Sequence, residues 1–310
     1  MVGLTTKSGA RVSRLGFGAM QFGRTCDEAA ARAMFEACLD AGINHFDTAF
    51  SYTGGASERM LGGLVAGLAD RMIVASKAAN DRPATRANLR DACDQSRARL
   101  GLDCIDLYYL HRFDDDTPLE ETFGALTQMQ AAGIIRYIGV SNFAAWQVMK
   151  AQAVCAQFGT KIDAIQPMYN LVKRQVEVEI LPACHDQAIA VCPFSPLGGG
   201  LLTGKYGDGG RGRLVDDAIY AARYGQPWMH QTARDLCGVA GALGVDPATL
   251  AVAWVAHHAD ITSTLISARS VAQLQPSLLA MGLDLPTDIY AQISALSQTP
   301  TPATDRSEAV

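Results

Sequence analysis

At 310 residues, 49% apolar and 18% charged, the chain can build a large core, and its composition excludes a disordered protein. A net charge of −5 with no block of Lys and Arg argues against nucleic-acid binding, and no apolar run approaches the roughly 20 residues that a membrane helix needs. The opening MVGLTTKSGARVSRLG has no apolar secretory segment, so a cytoplasmic protein is expected. There the eight cysteines (Cys26, Cys38, Cys93, Cys104, Cys155, Cys184, Cys192 and Cys237), with no C-x-x-C pair, read as buried thiols.

In chain order, VGLTTKSGARVS reads as a β-hairpin turning at Ser8-Gly9, suited to plugging one end of a barrel. Eight short apolar runs follow, at 14–20, 45–49, 72–77, 105–111, 136–142, 163–169, 190–196 and 262–268. Their near-continuous apolarity suits strands covered on both faces. Helical patterns occupy 27–42, 57–70, 85–101, 118–133, 144–159 and 176–188. This alternation implies a closed parallel barrel or a doubly wound sheet. Gly16, Gly18 and Gly23 have the wrong spacing for G-x-G-x-x-G, so the expected fold is a single (β/α)8 TIM barrel over residues 1–298. The Gly- and charge-rich stretch 207–228 is expected to be a functional loop, and residues 299–310 a disordered tail.

Reacting residues of such barrels stand at the C-terminal ends of strands. The second run leads into HFDTAFSY, with Asp47 and Tyr52; the third ends at Lys77; the fourth ends at His111. Singly, each has a plain alternative: a turn cap, a packed aromatic, a lysine reaching for solvent, a structural histidine. Together, at three consecutive strand ends, they point to one catalytic set. These four residue types in this order resemble the catalytic tetrad of the aldo-keto reductase family. The resemblance covers nearly the whole chain, through RLGFGAMQFG, IDLYYLHRFDDDTPLEET, IRYIGVSNF and AIQPMYN to the helix after Arg269. PFSPLGGGLLTGKY is similar to the branch that holds bacterial reductases and potassium-channel β subunits.

The resemblance implies an NADP(H)-dependent oxidoreductase that moves a hydride between a nicotinamide and a carbonyl or alcohol. Hydride addition places negative charge on the carbonyl oxygen, so Tyr52 would supply a proton, and would accept it in the reverse direction. Lys77 should lower the phenol's pKa from its ordinary value of about 10. Asp47 would pair with Lys77, and His111 would donate to the substrate oxygen.

The cofactor contacts follow from the same resemblance. Ser141, Asn142 and Gln166 would hold the carboxamide, Phe194 would stack on the nicotinamide ring, and Met20 would add a contact. Ser195, Leu197, Gly200 and Lys205 would follow the pyrophosphate, with Arg213 in the long cofactor-covering loop. Ser267, Arg269, Gln273 and Ser277 would surround the adenosine end, Arg269 gripping the 2′-phosphate. Plain alternatives are a helix cap at Ser141-Asn142, a core aromatic at Phe194 and a capping box at Ser270–Gln273. The chain departs from its branch at Pro276-Ser277, where Glu-Asn is usual; a proline there removes a helical hydrogen bond and weakens adenine contacts.

Gln21, Phe22, Phe50 and Phe113 are expected to rim an apolar substrate pocket. Rival readings are an NAD-dependent aldose or alcohol dehydrogenase of the same family and a low-turnover regulatory subunit, which the intact set of four disfavours. A metal-dependent barrel hydrolase is a third, but His45, His185, His257 and His258 lack ligand spacing, so no metal is expected. The expected partner is a small carbonyl or alcohol.

Overall fold

Side chains along a strand point alternately to opposite faces, so each apolar run serves two environments at once: the barrel interior and the helix layer. The computed structural model describes residues 3–207 and 209–304. Its strands are β1 (Leu15–Gly18), β2 (His45–Asp47), β3 (Ile73–Ala78), β4 (Ile105–Leu110), β5 (Ile135–Ser141), β6 (Ala164–Gln166), β7 (Ala190–Val191) and β8 (Thr264–Ile266). All pair in parallel, in the order β7-β6-β5-β4-β3-β2-β1-β8. Phe194, just past β7, bridges to Leu265, whose amide donates to the Pro193 carbonyl at 2.8 Å. The sheet therefore closes on itself, and the fold is the expected (β/α)8 barrel.

Register decides which residues turn inward. Asp47 lies opposite Gly18, Lys77 opposite Tyr109, Tyr109 opposite Gly139, and Ser141 opposite Gln166. Their neighbours Phe46, Tyr108, Val140 and Ile165 turn outward and pack with the helices, while Ile73, Ala75, Leu107, Tyr109, Ala164, Ala190 and Cys192 fill the interior. The N-terminal hairpin pairs Thr5 with Arg11 around Gly9, and Leu4 packs into that interior cluster as a plug. Arg136, ion-paired to Asp106 at 2.6 Å, donates to the Thr5 carbonyl at 3.0 Å and holds the hairpin in place.

The helices are α1 (Glu28–Asp40), α2 (Ala56–Val65), α3 (Arg86–Leu100), α4 (Leu119–Ala131), α5 (Ala145–Gln157), α6 (Ile180–Asp186), α7 (Arg213–Asp216), α8 (Ala218–Tyr224), α9 (Pro227–Leu243), α10 (Pro247–His257), α11 (Val271–Leu279) and α12 (Thr287–Ser294). Among the described residues no single helix is long and apolar enough to cross a membrane. The apolar α10 is buried from Ala248 to Ala256, as a helix apolar on every face must be.

Several expectations need correction. The helix at 57–70 stops at Val65, because Gly67 takes φ 76°. The helix at 176–188 begins only at Ile180, which leaves Pro182 in the first turn, where its missing N–H is not needed. The runs at 163–169 and 190–196 shrink to β6 and β7, since Pro167 and Pro193 have no amide for the ladder. The stretch 207–228 is not one loop: it holds α7, α8 and the start of α9. Asp217 caps α8 by accepting from the Ile219 and Tyr220 amides, but helices of one or two turns are too short for periodicity to reveal. Six of the cysteines are buried, with Cys104 and Cys237 half-buried. Of the expected tail, residues 299–304 contain no helix or strand, and 305–310 lie outside the described residues, as do Val2 of the hairpin and Asp208 of the long stretch.

Candidate active site

Lys77 is fully buried, and a buried ammonium must be paired. It forms an ion pair with Asp47 and donates to the Thr48 carbonyl at 2.8 Å. The other Asp47 oxygen accepts from Gln166 Nε2 at 2.8 Å. Burial works against the Lys77 charge, but Asp47, and then Tyr52, outweigh it and raise its pKa. Asp47 is thus no turn cap, and Lys77 does not reach for solvent.

Tyr52 stands in a 3-10 turn beyond β2. Its ring centroid lies 5.2 Å from Lys77 Nζ and 5.8 Å from the His111 ring, which meets it edge-on. The four residues therefore share one end of the barrel. Burial raises the Tyr52 pKa, while the Lys77 charge and hydrogen bond pull it down; the net direction is upward. Lys77 thus acts in the expected sense, and burial, which the sequence did not show, is larger. Burial, with Lys77 and Arg112 adding to it, pushes His111 down to about 3, so its imidazole is neutral near pH 7. Its Nδ1 is buried with no hydrogen-bond partner among the described residues.

Beside them, Ser141 Oγ donates to the Gln166 carbonyl at 2.8 Å. Asn142, in the left-handed region at φ 57°, donates to the His111 carbonyl at 2.9 Å and to Ser141 Oγ at 3.1 Å. The cap of α5 is Ala144, whose amide donates to Gln147, so Ser141-Asn142 is not a helix cap. Phe194 is partly exposed rather than a core residue, and Met20 and Leu197 are likewise half-buried.

Gly198, Gly199 and Gly200 take φ of 56°, 66° and 93° in succession, a run that only glycine adopts freely. The Gly198 and Gly200 amides donate to the Ser195 and Leu197 carbonyls at 3.0 Å, so what the turn offers a phosphate is close approach of a backbone without side chains. A Cβ on Gly200 would stand 3.2 Å from Lys205 Nζ, and one on Gly199 2.7 Å from the Tyr220 ring. Leu214 also lies against Gly199, so the 213–224 helices rest on the glycine turn, and within them Arg213 donates to the Tyr220 hydroxyl at 3.2 Å. Tyr224 anchors them: it is buried, accepts from Asn170 at 3.3 Å and lies 3.2 Å from Ser195 Oγ. The glycine turn, Lys205 and Arg213 suit a pyrophosphate, so the residues present fit a dinucleotide there.

At the far end Ser267, Arg269 and Gln273 are exposed together. Gln273 N donates to Ser270 Oγ, the cap half of the expected box, but Gln273 Oε1 accepts from Arg269 N rather than from Ser270 N, so it fixes the Arg269 backbone instead of closing the box. Ser277 is not brought to this group: it lies with Leu274 and Leu278 on the buried stripe of α11.

The expected pocket rim is corrected too. Gln21, Phe22 and Phe50 are buried, at 3%, 1% and 8% exposure. The Arg82 and Arg99 guanidiniums both lie over the Phe50 ring, at 5.3 and 4.5 Å. Phe113 remains at the surface, packed against Phe143 (5.1 Å) and the exposed Trp146 (5.8 Å). Sequence reading missed Trp146, Asn170, Tyr220 and Tyr224. Only the four-residue spacing of Tyr220 and Tyr224 offered a signal.

A closed parallel barrel with a buried Lys–Asp pair, a tyrosine and a neutral histidine at its C-terminal end defines a class, the oxidoreductase barrels. The chain belongs to the aldo/keto reductase family, whose model matches residues 14–298. It is 32% identical to a probable voltage-gated potassium channel subunit beta of Oryza sativa, covering 94% of this chain and 95% of the relative. It is 31% identical to Protein tas of Escherichia coli, with 94% and 96% covered. It is 32% identical to aflatoxin B1 aldehyde reductase member 2 of Rattus norvegicus, with 85% and 78% covered.

Proposed function

We propose that this protein is a cytoplasmic NADP(H)-dependent reductase of aldehydes or ketones. The observation that carries the reading is the buried Lys77–Asp47 pair beside the Tyr52 ring, with His111 edge-on to that ring. When bound, NADPH supplies the hydride. Tyr52 gives its phenolic proton to the carbonyl oxygen as negative charge grows there. Lys77 stabilises the phenolate that remains, and Asp47 keeps Lys77 charged and in place. Neutral His111 donates to the same oxygen and orients it. Ser141, Asn142 and Gln166 would hold the carboxamide, Phe194 the ring, and the glycine turn with Lys205 and Arg213 the pyrophosphate. A panel of aldehydes, ketones, sugars and alcohols assayed with NADPH, NADH, NADP and NAD tests this. No turnover of any of them, with tight cofactor binding, would favour the second reading that the rice relative's name supports, a regulatory subunit.

Arg269 underlies the preference for NADP(H). A guanidinium can bond two phosphate oxygens at once, and the start of α11 adds free N–H groups. A charged hydrogen bond is worth about 1.5–3 kcal/mol, so Arg269→Ala should raise the NADPH Kd by roughly ten- to a hundredfold. NADH affinity should stay as it was. Equal losses for both cofactors would sink this assignment.

The 213–224 segment should act as a cover over the pyrophosphate. Hydrogen exchange across it is expected to slow when NADPH binds. Exchange unchanged by saturating cofactor would count against a cover.

A further inference from the structure

Tyr52 stands in a turn whose backbone needs outside support. Thr53, Gly54 and Gly55 take φ of 50°, 60° and 85°, three left-handed residues in succession. The two glycines adopt it freely, but Thr53 keeps it only where its surroundings over-determine it; its hydroxyl donates to the Phe22 carbonyl and accepts from the Ser57 amide, both at 3.0 Å. A second support lies outside the barrel wall. Arg99 of α3 donates from Nη1 to the Phe50 carbonyl at 3.3 Å and to Glu58 Oε2 at 3.0 Å, and its guanidinium covers the Phe50 ring. The same guanidinium lies against Gly55, where a Cβ would come within 2.7 Å of it. One cation therefore touches the chain on both sides of Tyr52. Glu58 is fully buried, and its other oxygen accepts from Ser76 Oγ at 2.7 Å. Ser76 precedes Lys77, whose carbonyl accepts from the Phe50 amide at 2.9 Å. The segments that carry Tyr52 and Lys77 are thus joined through Ser76, Glu58, Arg99 and Phe50.

We infer that Glu58 and Arg99 are positioning residues that set the spacing between the Tyr52 phenol and the Lys77 ammonium. The inference rests on the reading of Tyr52 as the acid. A misplacement of about 1 Å caused by a change far from the chemistry can lower a rate by about a hundredfold. Lys77 favours the phenolate, so a phenol that drifts away from it ionises at higher pH. Lysine cannot replace Arg99, because an ammonium has no planar face to lie on the Phe50 ring and no second nitrogen to bond Gln95, which Arg99 Nη2 does at 3.1 Å while Nη1 serves Phe50 and Glu58.

Arg99→Lys tests this by aldehyde kcat with its pH profile, by NADPH affinity from fluorescence titration, and by hydrogen exchange. We expect kcat to fall by roughly ten- to a hundredfold and the limb at which the phenol ionises to move up by about one unit. NADPH affinity should be unchanged, and faster exchange should be confined to residues 49–57. Glu58→Gln should behave alike. If Arg99→Lys does not fold, Glu58→Gln, which keeps the shape of the buried side chain and strands no carboxylate, carries the test by the same readouts. A folded variant with wild-type kcat, wild-type pH limb and wild-type exchange over 49–57 overturns the inference, even if it melts at lower temperature. A wild-type protein that reduces no carbonyl overturns the functional reading instead. Exchange over 49–57 then still decides whether Arg99 holds the turn.

Discussion

Tyr52→Phe should lower kcat by about 10²–10⁴-fold, the contribution of a positioned proton donor. That range corresponds to roughly 3–5 kcal/mol of barrier. The phenyl ring can keep its place beside Lys77 and against His111, so packing and NADPH affinity should be retained. His111 cannot take over as a charged acid, because burial pushes it down to about 3 and it carries no extra proton near neutrality. The same fact gives a pH test. An ordinary histidine ionises near pH 6.5 and would produce a limb between about pH 5 and 8. The wild-type kcat for reduction should show no such limb. The Tyr52 pKa lies above the ordinary tyrosine value in the free protein, so the phenol stays protonated through this range. Normal turnover by Tyr52→Phe, or a histidine-like limb in the wild type, would remove Tyr52 or His111 from these roles.

Lys77→Met is the most damaging single change expected, because it strikes stability and chemistry together. It leaves Asp47 as a buried carboxylate with Gln166 as its remaining hydrogen-bond donor. Removing one partner of a buried ion pair typically costs about 3–5 kcal/mol. For a domain of this size that is a fall in Tm on the order of 10 °C. Adding Asp47→Asn removes the stranded charge, so the double variant should regain much of the lost Tm. It should not regain kcat, since the cation that favours the phenolate is still missing. Calorimetry and turnover measured on both variants separate the two effects. A double variant that recovers activity along with stability would show that Lys77 serves only to balance Asp47.

These two predictions draw on residues that could be found without coordinates. Lys77 and His111 each close an apolar run and Asp47 lies within one, and their order along the chain marks them as a set. Period-two alternation then requires Asp47, Lys77, Ser141 and Gln166 to face inward once the register is known. The pocket rim was less legible. Phe22 and Phe50 are apolar residues close to the catalytic ones in sequence, yet both are buried behind the site, whereas Trp146 on α5 reaches Phe113 across a sequence gap of more than thirty residues. The direction of the Tyr52 pKa was illegible for a related reason. Residue types identify the cation beside the phenol, but not how much solvent the fold excludes.

By itself the sequence determined the eight strands, the six helices between residues 27 and 188, the barrel they build, the plugging hairpin and the four residues at the strand ends. All of these rest on local signals: apolar period, turn chemistry and position along a run. Only the tertiary structure decided that Phe50 lies against Arg82 and Arg99 rather than at the pocket, that Ser277 turns to the core, and that residues 213–224 fold into short helices seated on the glycine turn. It alone joined Glu58, Ser76 and Arg99 behind Tyr52. These features depend on contacts between residues far apart in the chain, and a one- or two-turn helix or a buried charge is stabilised by what packs against it rather than by its own composition.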